Sequence, residues 1–180
     1  GAVFAVGDVP PGRHVAAYAG GTRVDSQCAV LANHADGSAR HVMLGVTIPT
    51  VGAVSSLELS LEHIPAESYG PTSSATAAAL VATGWTVTVE LTIASVLYTA
   101  NAASAINTAI AGGTLDTWAH GPIFSEWRVT VAPTTNILVT FDVRAYTDGR
   151  VRTDVVVYND RIGTSGGLLA QPPSVTYAVV

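Results

Sequence analysis

The chemically most capable stretch of this chain runs from residue 117 to residue 128, Thr-Trp-Ala-His-Gly-Pro-Ile-Phe-Ser-Glu-Trp-Arg. Two of the three tryptophans of the chain lie in it, with a histidine, a glutamate and an arginine between or beside them. Trp118 and His120 precede a Gly-Pro turn, and an aromatic face suits the C–H surface of a sugar ring. One interpretation of the stretch is therefore a glycan-contact site built on Trp118 and His120.

The alternative interpretation of the same stretch is structural. Large aromatic side chains dominate the energetics of protein cores. Trp127 and Phe124 would then fill the core, while Glu126 would pair with an arginine such as Arg144 or Arg152. This second interpretation is favoured, because it needs nothing beyond ordinary packing.

The histidines do not have the spacing of a metal site. Two of them, His34 and His41, flank a predicted turn and could face each other across a hairpin, but two ligands are too few for zinc. The chain has no H-x-x-x-H pair and no cysteine partner at ligand spacing. We therefore expect no bound metal and no cofactor. The five histidines are His14, His34, His41, His63 and His120.

Signatures of catalysis are missing as well. The sequence has no Gly-x-Ser-x-Gly elbow, no phosphate-binding loop and no dinucleotide fingerprint. Three acidic residues stand out as candidate catalytic carboxylates: Glu126, Asp116 and Asp142. Nothing in the sequence brings two of them together as a glycosidase would require. Cys28 lies in an alternating segment and is expected to be a small buried hydrophobe. The prediction is that these 180 residues are not an enzyme.

Composition excludes several classes of protein. Apolar residues make up 48% of the chain and charged residues 12%, with a net charge of −5, which is the opposite of a disordered chain. An acidic chain lacks the excess of basic residues that is typical of a nucleic-acid binder and of a polybasic membrane-surface protein. No apolar run reaches about 18 residues, so no transmembrane helix is expected. A single cysteine excludes an internal disulfide.

Hydrophobic alternation with a period of two predicts β-strands. The segments 42–48, 57–62 and 85–93 each alternate apolar residues with polar or small ones, so each is expected to bury its apolar face, which in the second segment carries Leu57, Leu59 and Leu61. Turn residues separate such runs: Val9-Pro10-Pro11-Gly12, Gly20-Gly21, Asp36-Gly37 and Asp148-Gly149. The last three predict hairpins that join 13–19 to 22–32, 22–32 to 39–48, and 137–146 to 150–158.

One segment has a helical pattern. Asn101 can cap a helix over about 102–111, with Ile106 and Ile110 four residues apart, and two glycines then end it. The stretch 73–83 is ambiguous, 163–173 is predicted to be a loop, and 175–180 is a final strand. We expect an all-β fold, an antiparallel sandwich or barrel with one short helix near 102–111, in a single domain over 1–180.

The predicted strand 150–158 is apolar on both faces. Val156 and Tyr158 lie opposite Val151, Val155 and Val157, and a strand that is apolar on both faces needs cover on both. We expect that cover from another subunit or from a following domain, so the chain should be oligomeric in an assembly. The alternative is a closed barrel that wraps its own loops over these residues.

Three stretches together resemble a known kind of domain. They are Phe4-Ala5-Val6-Gly7-Asp8-Val9-Pro10-Pro11-Gly12, then Gln27 followed by Asn33 to Val42, and then Trp118 to Trp127 continuing into Phe141 to Arg152. The pattern resembles the N-terminal β domain of large phage virion proteins, mostly tail-associated. It is also similar to the N-terminal barrel of bacterial exo-rhamnogalacturonan-lyase-like proteins. The resemblance implies that the final strand leads into further domains, and it carries over no catalytic residue.

Two functions follow as hypotheses. The first is a structural or adhesive component of a phage or phage-like particle, made in the bacterial cytoplasm and located in the virion. Its partners would be other virion subunits or following domains, with host-surface carbohydrate as a further contact. The second is a carbohydrate-binding or accessory module of a polysaccharide-degrading enzyme. In either case Trp118, His120 and Tyr158 are the candidate contact residues.

Overall fold

The computed structural model describes residues 1–48, 56–67, 75–159 and 175–179. These residues form antiparallel sheets with two short helices, so the all-β prediction is confirmed. The helices are α1 (Ala77–Ala82) and α2 (Ala102–Ala111). The strands are β1 (Ala2–Val3), β2 (Arg13–Ala19), β3 (Thr22–Arg23), β4 (Ser26–Asn33), β5 (Ala39–Val46), β6 (Leu59–Pro65), β7 (Thr88–Ile93), β8 (Val96–Asn101), β9 (Asp116–Ala119), β10 (Phe124–Val131), β11 (Ile137–Tyr146), β12 (Val151–Asn159) and β13 (Val175–Val179).

The chain divides into two compact units. Unit 1 comprises 1–75, 118–126 and 145–150, and unit 2 comprises 76–117, 127–144 and 151–180. A four-stranded sheet has the order β12-β11-β10-β9, and three of its strands contribute residues to both units. The expectation of a single domain stays a prediction.

Unit 1 contains two three-stranded antiparallel sheets, ordered β1-β5-β4 and β3-β2-β6. Ala16 and Ala17 of β2 are fully buried, and the Ala17 N–H donates to Oγ of Ser26 on β4 at 3.3 Å. A hydrophobic cluster forms the core of this unit: Val9, Val15, Cys28, Ala39 and Val42. Cys28 is buried as predicted.

The turn at Asp36-Gly37 is confirmed in position, but its geometry differs from a two-residue primed turn. The His34 N–H donates to Ser38 O at 2.8 Å and the Gly37 N–H donates to His34 O at 3.0 Å. Only Gly37 has a positive φ, +84°, which is the arrangement of a three-residue loop closed by a glycine bulge. Asp36 Oδ1 accepts from the Ser38 N–H at 3.0 Å and thereby holds the loop.

The Asp148-Gly149 turn between β11 and β12 repeats this geometry. The Tyr146 N–H donates to Arg150 O at 2.8 Å, the Gly149 N–H donates to Tyr146 O, and Gly149 has φ +89°. Asp148 Oδ1 accepts from the Arg150 N–H at 3.1 Å. Both Asp-Gly pairs therefore make hairpin turns through an aspartate that accepts from the N–H two residues later.

Two other predicted turns are also present. The Arg13 N–H donates to Pro10 O, and Gly20 and Gly21 both have positive φ between β2 and β3. The strand predicted over 22–32 is interrupted, however, and becomes β3 and β4. The Val24 N–H still donates to Ala17 O at 3.0 Å, in the register of the β2–β3 pairing, and β4 then begins at Ser26.

Unit 2 contains the sheet β13-β7-β8 and both helices. Val89 and Leu91 of β7 are fully buried, as the alternation predicts. Helix α2 has the predicted bounds: Asn101 Oδ1 accepts from the Ser104 N–H at 2.9 Å, and Ile106 is fully buried. The strand predicted at the end of the chain is present as β13, which pairs with β7.

Three expectations need correction or lie outside the described residues. Helix α1, capped by Thr76, forms in the ambiguous stretch 73–83, so the described residues contain two helices, not one. Alternation wrongly predicts burial of Leu61, which is 43% exposed, because β6 is the edge strand in the order β3-β2-β6 and has less cover. The predicted loop over 163–173 lies outside the described residues.

Candidate functional site

The Gly-Pro turn of the stretch 117–128 is held by a buried glutamine. The side chain of Gln27, on β4, is 1% exposed. Its Nε2 donates to Phe124 O at 2.8 Å, and its Oε1 accepts from the N–H groups of Ile123 and Phe124 at 2.9 and 3.0 Å. One amide side chain thus makes three hydrogen bonds to the backbone of the residues that follow the turn.

Two glycines allow Gln27 and Phe124 to pack closely against the neighbouring backbone. A Cβ built on Gly121 would lie 2.5 Å from Cδ of Gln27. A Cβ built on Gly45, on the neighbouring strand β5, would lie 2.5 Å from Cε1 of Phe124. Neither glycine has a positive φ, so each is required for close approach and not for its backbone conformation. The polar and aromatic residues around the turn are therefore committed to packing within unit 1.

The core interpretation of the aromatic residues is confirmed. Trp127 and Phe124 are 4% and 2% exposed. The centroids of the Phe124 and Tyr146 rings are 6.0 Å apart and the rings are tilted. The Arg150 guanidinium lies over the Tyr146 ring, 5.2 Å from its centroid. Glu126 is also buried.

The three candidate contact residues lie in different settings. Trp118, on β9, is half-buried. Nδ1 of His120 lies 3.2 Å from Oγ of the fully buried Ser125, so this histidine is held by a side-chain hydrogen bond. Tyr158, on β12, is 41% exposed. Trp118 and His120 belong to unit 1 and Tyr158 to unit 2.

One strong ion pair lies across the sheet in unit 2. Nε and Nη2 of Arg128 donate to the two carboxylate oxygens of Asp142 at 2.6 and 2.7 Å. This bidentate bond, with smaller contributions from Asp116 and Tyr158, raises the pKa of the Arg128 guanidinium. Asp142 therefore has an arginine partner that sequence reasoning missed, because the two residues lie on adjacent strands.

A cleft of about 910 Å³ in unit 1 borders the Gly-Pro turn. A second bidentate ion pair lies in its wall, in which Nη2 of Arg23 donates to both oxygens of Glu67 at 2.7 and 2.8 Å. Pro122 and Thr147 form part of the opposite lining, and the Thr147 hydroxyl donates to Pro122 O at 2.9 Å. In this cleft Arg23 and Glu67 are therefore bonded to each other, and Thr147 is bonded to the backbone of the turn.

Two of the histidines, His14 and His34, and the cysteine have structural surroundings. Within the described residues, no group of three histidine, cysteine, aspartate or glutamate side chains is close enough to hold a metal ion. His14 Nδ1 accepts from the Glu67 N–H at 3.1 Å, and His34 Nε2 lies 3.0 Å from Phe4 O. Burial raises the pKa of the Cys28 thiol, which disfavours the nucleophilic thiolate.

Comparison with known proteins adds no relative. Neither a protein-family model, nor a curated protein, nor a solved structure matches this chain. Among the described residues, neither helix is long and apolar enough to cross a membrane.

Proposed function

We propose that this chain is a non-catalytic structural module that acts by assembling with other protein subunits of a phage or phage-like particle. The observation that carries the proposal is the outer face of β12. In the order of its sheet β12 is an end strand among the described residues, and Val156 and Tyr158 on that face are 50% and 41% exposed.

An edge strand with exposed apolar side chains favours contact with another chain. Unpaired strand edges invite pairing, and soluble proteins usually protect them with charges, prolines or bulges. On β12 the charges are Arg152 and Asp154, which pair with each other at 3.0 Å. Their mutual neutralisation weakens their protective effect, and Val156 and Tyr158 continue the same face with exposed apolar side chains.

The turn between β7 and β8 supports the same function. Ala94 and Ser95 both have positive φ, 47° and 65°, a conformation that costs a non-glycine residue about 1–2 kcal/mol. Directly after them, Val96 and Leu97 are more than half exposed. Two positive φ values are what a two-residue hairpin turn requires, so the support comes from Val96 and Leu97, whose exposed side chains make this tip a second apolar contact element.

The placement in a virion rests on the resemblance of three sequence stretches to the N-terminal β domain of phage virion proteins. The low share of charged residues, 12%, suits a protein whose surface is partly covered by partners.

Sedimentation velocity tests the assembly function. We expect the chain to self-associate, or to co-purify with other structural proteins when isolated from native particles. Val156→Asp combined with Tyr158→Ser should abolish the association, because a charge would be buried in an apolar contact. The matched control is Leu61→Asp, a similarly exposed apolar position on β6. A soluble monomer at high concentration, with no partner in any native particle, would overturn the proposal.

A further inference from the structure

A groove of about 830 Å³ lies in unit 2, between helix α2 and strand β10. Ser104 and Thr108 lie on its helical side, Thr99 and Thr114 flank that side, and residues 128–132 form the strand side. Its volume is within the range of about 300–1,000 Å³ that is usual for small-molecule sites. The residues that define it are all in one unit.

Hydroxyl groups dominate the polar lining of this groove. Within the described part of the chain, the hydroxyls of Thr99, Ser104 and Thr114 make no side-chain hydrogen bond. The Thr108 hydroxyl donates to Ser104 O at 3.0 Å and retains its capacity to accept. The lining therefore offers several groups that can donate or accept according to the ligand.

The helical side of the groove is rigidly placed. Asn101 caps α2 through its Oδ1, while its Nδ2 donates to the hydroxyls of Thr86 and Thr88 at 2.8 and 2.9 Å. These bonds tie the first turn of α2 to the chain on both sides of the start of β7. A ligand would meet hydroxyls whose positions are set before it binds, which lowers the ordering cost of binding.

The charges in the groove exclude an anionic ligand. The one cationic group of the lining, Arg128, is offset by its bidentate bond to Asp142, and Asp116 adds a carboxylate to the lining. A phosphate or a uronate would meet no net positive charge there. The short side chains of Ala105 and Ala109 give the same groove an apolar wall.

The lining itself indicates the class of the occupant, because hydroxyl side chains and short apolar ones alternate around the groove. A ligand with its own dense hydroxyls and C–H faces matches this lining better than an anion does. We propose that this groove binds a neutral oligosaccharide. No residue of β12 lines the groove, so the binding test and the assembly test change different residues and can fail independently.

Backbone amide chemical shifts of the whole chain test the proposal. The probes are maltohexaose, mannohexaose and β-1,4-galactohexaose as neutral saccharides and hexagalacturonate as the anionic one, each at about 20 mM to detect millimolar affinity. We expect saturable shifts from at least one neutral probe, confined to residues 99–116 and 128–132. Hexagalacturonate should cause no such shifts.

A hydroxyl-deletion variant separates binding from nonspecific contact. Thr99→Val, Ser104→Ala and Thr114→Val together should weaken binding about tenfold or more, since each lost hydrogen bond contributes severalfold. The control is Thr92→Val with Thr117→Val, two exposed threonines outside the groove lining. Both variants should keep the amide spectrum of the folded chain. Absence of shifts with every neutral probe, shifts that lie elsewhere, or equal binding of the deletion variant and the control would each overturn the proposal.

Discussion

The hydrogen bonds of Gln27 make a quantitative prediction about stability. Gln27→Leu keeps the approximate volume of the side chain but removes all three of its bonds to Ile123 and Phe124. Two N–H groups and one carbonyl then lose their partner, and each unsatisfied buried group costs about 1–3 kcal/mol. The Ile123 N–H is only partly buried, so water can compensate some of its loss. We expect the free energy of unfolding to fall by about 3–5 kcal/mol, a large share of the 5–15 kcal/mol that is typical of a domain.

Urea unfolding followed by tryptophan fluorescence measures this loss, and amide hydrogen exchange at Ile123 and Phe124 locates it. Thr147→Val is the matched control, because it removes an exposed hydrogen bond to the same turn and should cost no more than about 1 kcal/mol. A decrease below about 1 kcal/mol for Gln27→Leu, or equal losses in the two variants, would refute the argument that this amide holds the turn.

Three further predictions concern single residues. Gly45→Ala should lower the free energy of unfolding by about 1–3 kcal/mol, because the new methyl group would overlap the buried Phe124 ring; an unchanged urea midpoint would contradict it. The side-chain and backbone bonds from Ser38 lower the pKa of the Asp36 carboxyl, so their stabilisation is complete above the unfolded pKa of about 3.9 and is lost as the pH falls through the lower folded-state value. Asp36→Asn should therefore flatten the acid side of the thermal stability profile, and a profile parallel to that of the unchanged chain would count against the assignment. Cys28 should react with a thiol reagent far more slowly in the native chain than in urea; equal rates would show that it is accessible.

Local signals in the sequence are sufficient to predict several elements. Asn101 and the glycine pair after Ala111 place both ends of α2, because capping depends on residues within a few positions of each other. The Asp-Gly pairs place two hairpins for the same reason. In each of these turns the aspartate accepts from the N–H two residues later, which allows a loop in which the glycine alone needs a positive φ.

Interactions between distant residues could not be predicted in the same way. Gln27 and Ile123 are 96 positions apart, and nothing near either residue indicates the other. The same holds for Arg128 and Asp142, whose pairing depends on the register of β10 against β11. Alternation identifies the apolar face of β6 but does not show whether another element covers that face. The expectation that Leu61 is buried therefore fails.

The distinction between packing and binding residues follows from the same limit. The sequence draws attention to residues 117–128 because tryptophan, histidine and glutamate are rare and chemically capable, yet Trp127 and the residues after the Gly-Pro turn are buried and bonded. The hydroxyls of the groove in unit 2 come from threonines and a serine, which in sequence resemble ordinary strand and helix residues. The groove that brings these hydroxyls together exists only because α2 and β10 lie side by side. For this fold, rare residue types therefore indicate where the backbone is held, whereas exposed hydroxyls and the apolar edge of β12 are the surfaces that we propose meet a ligand or a partner.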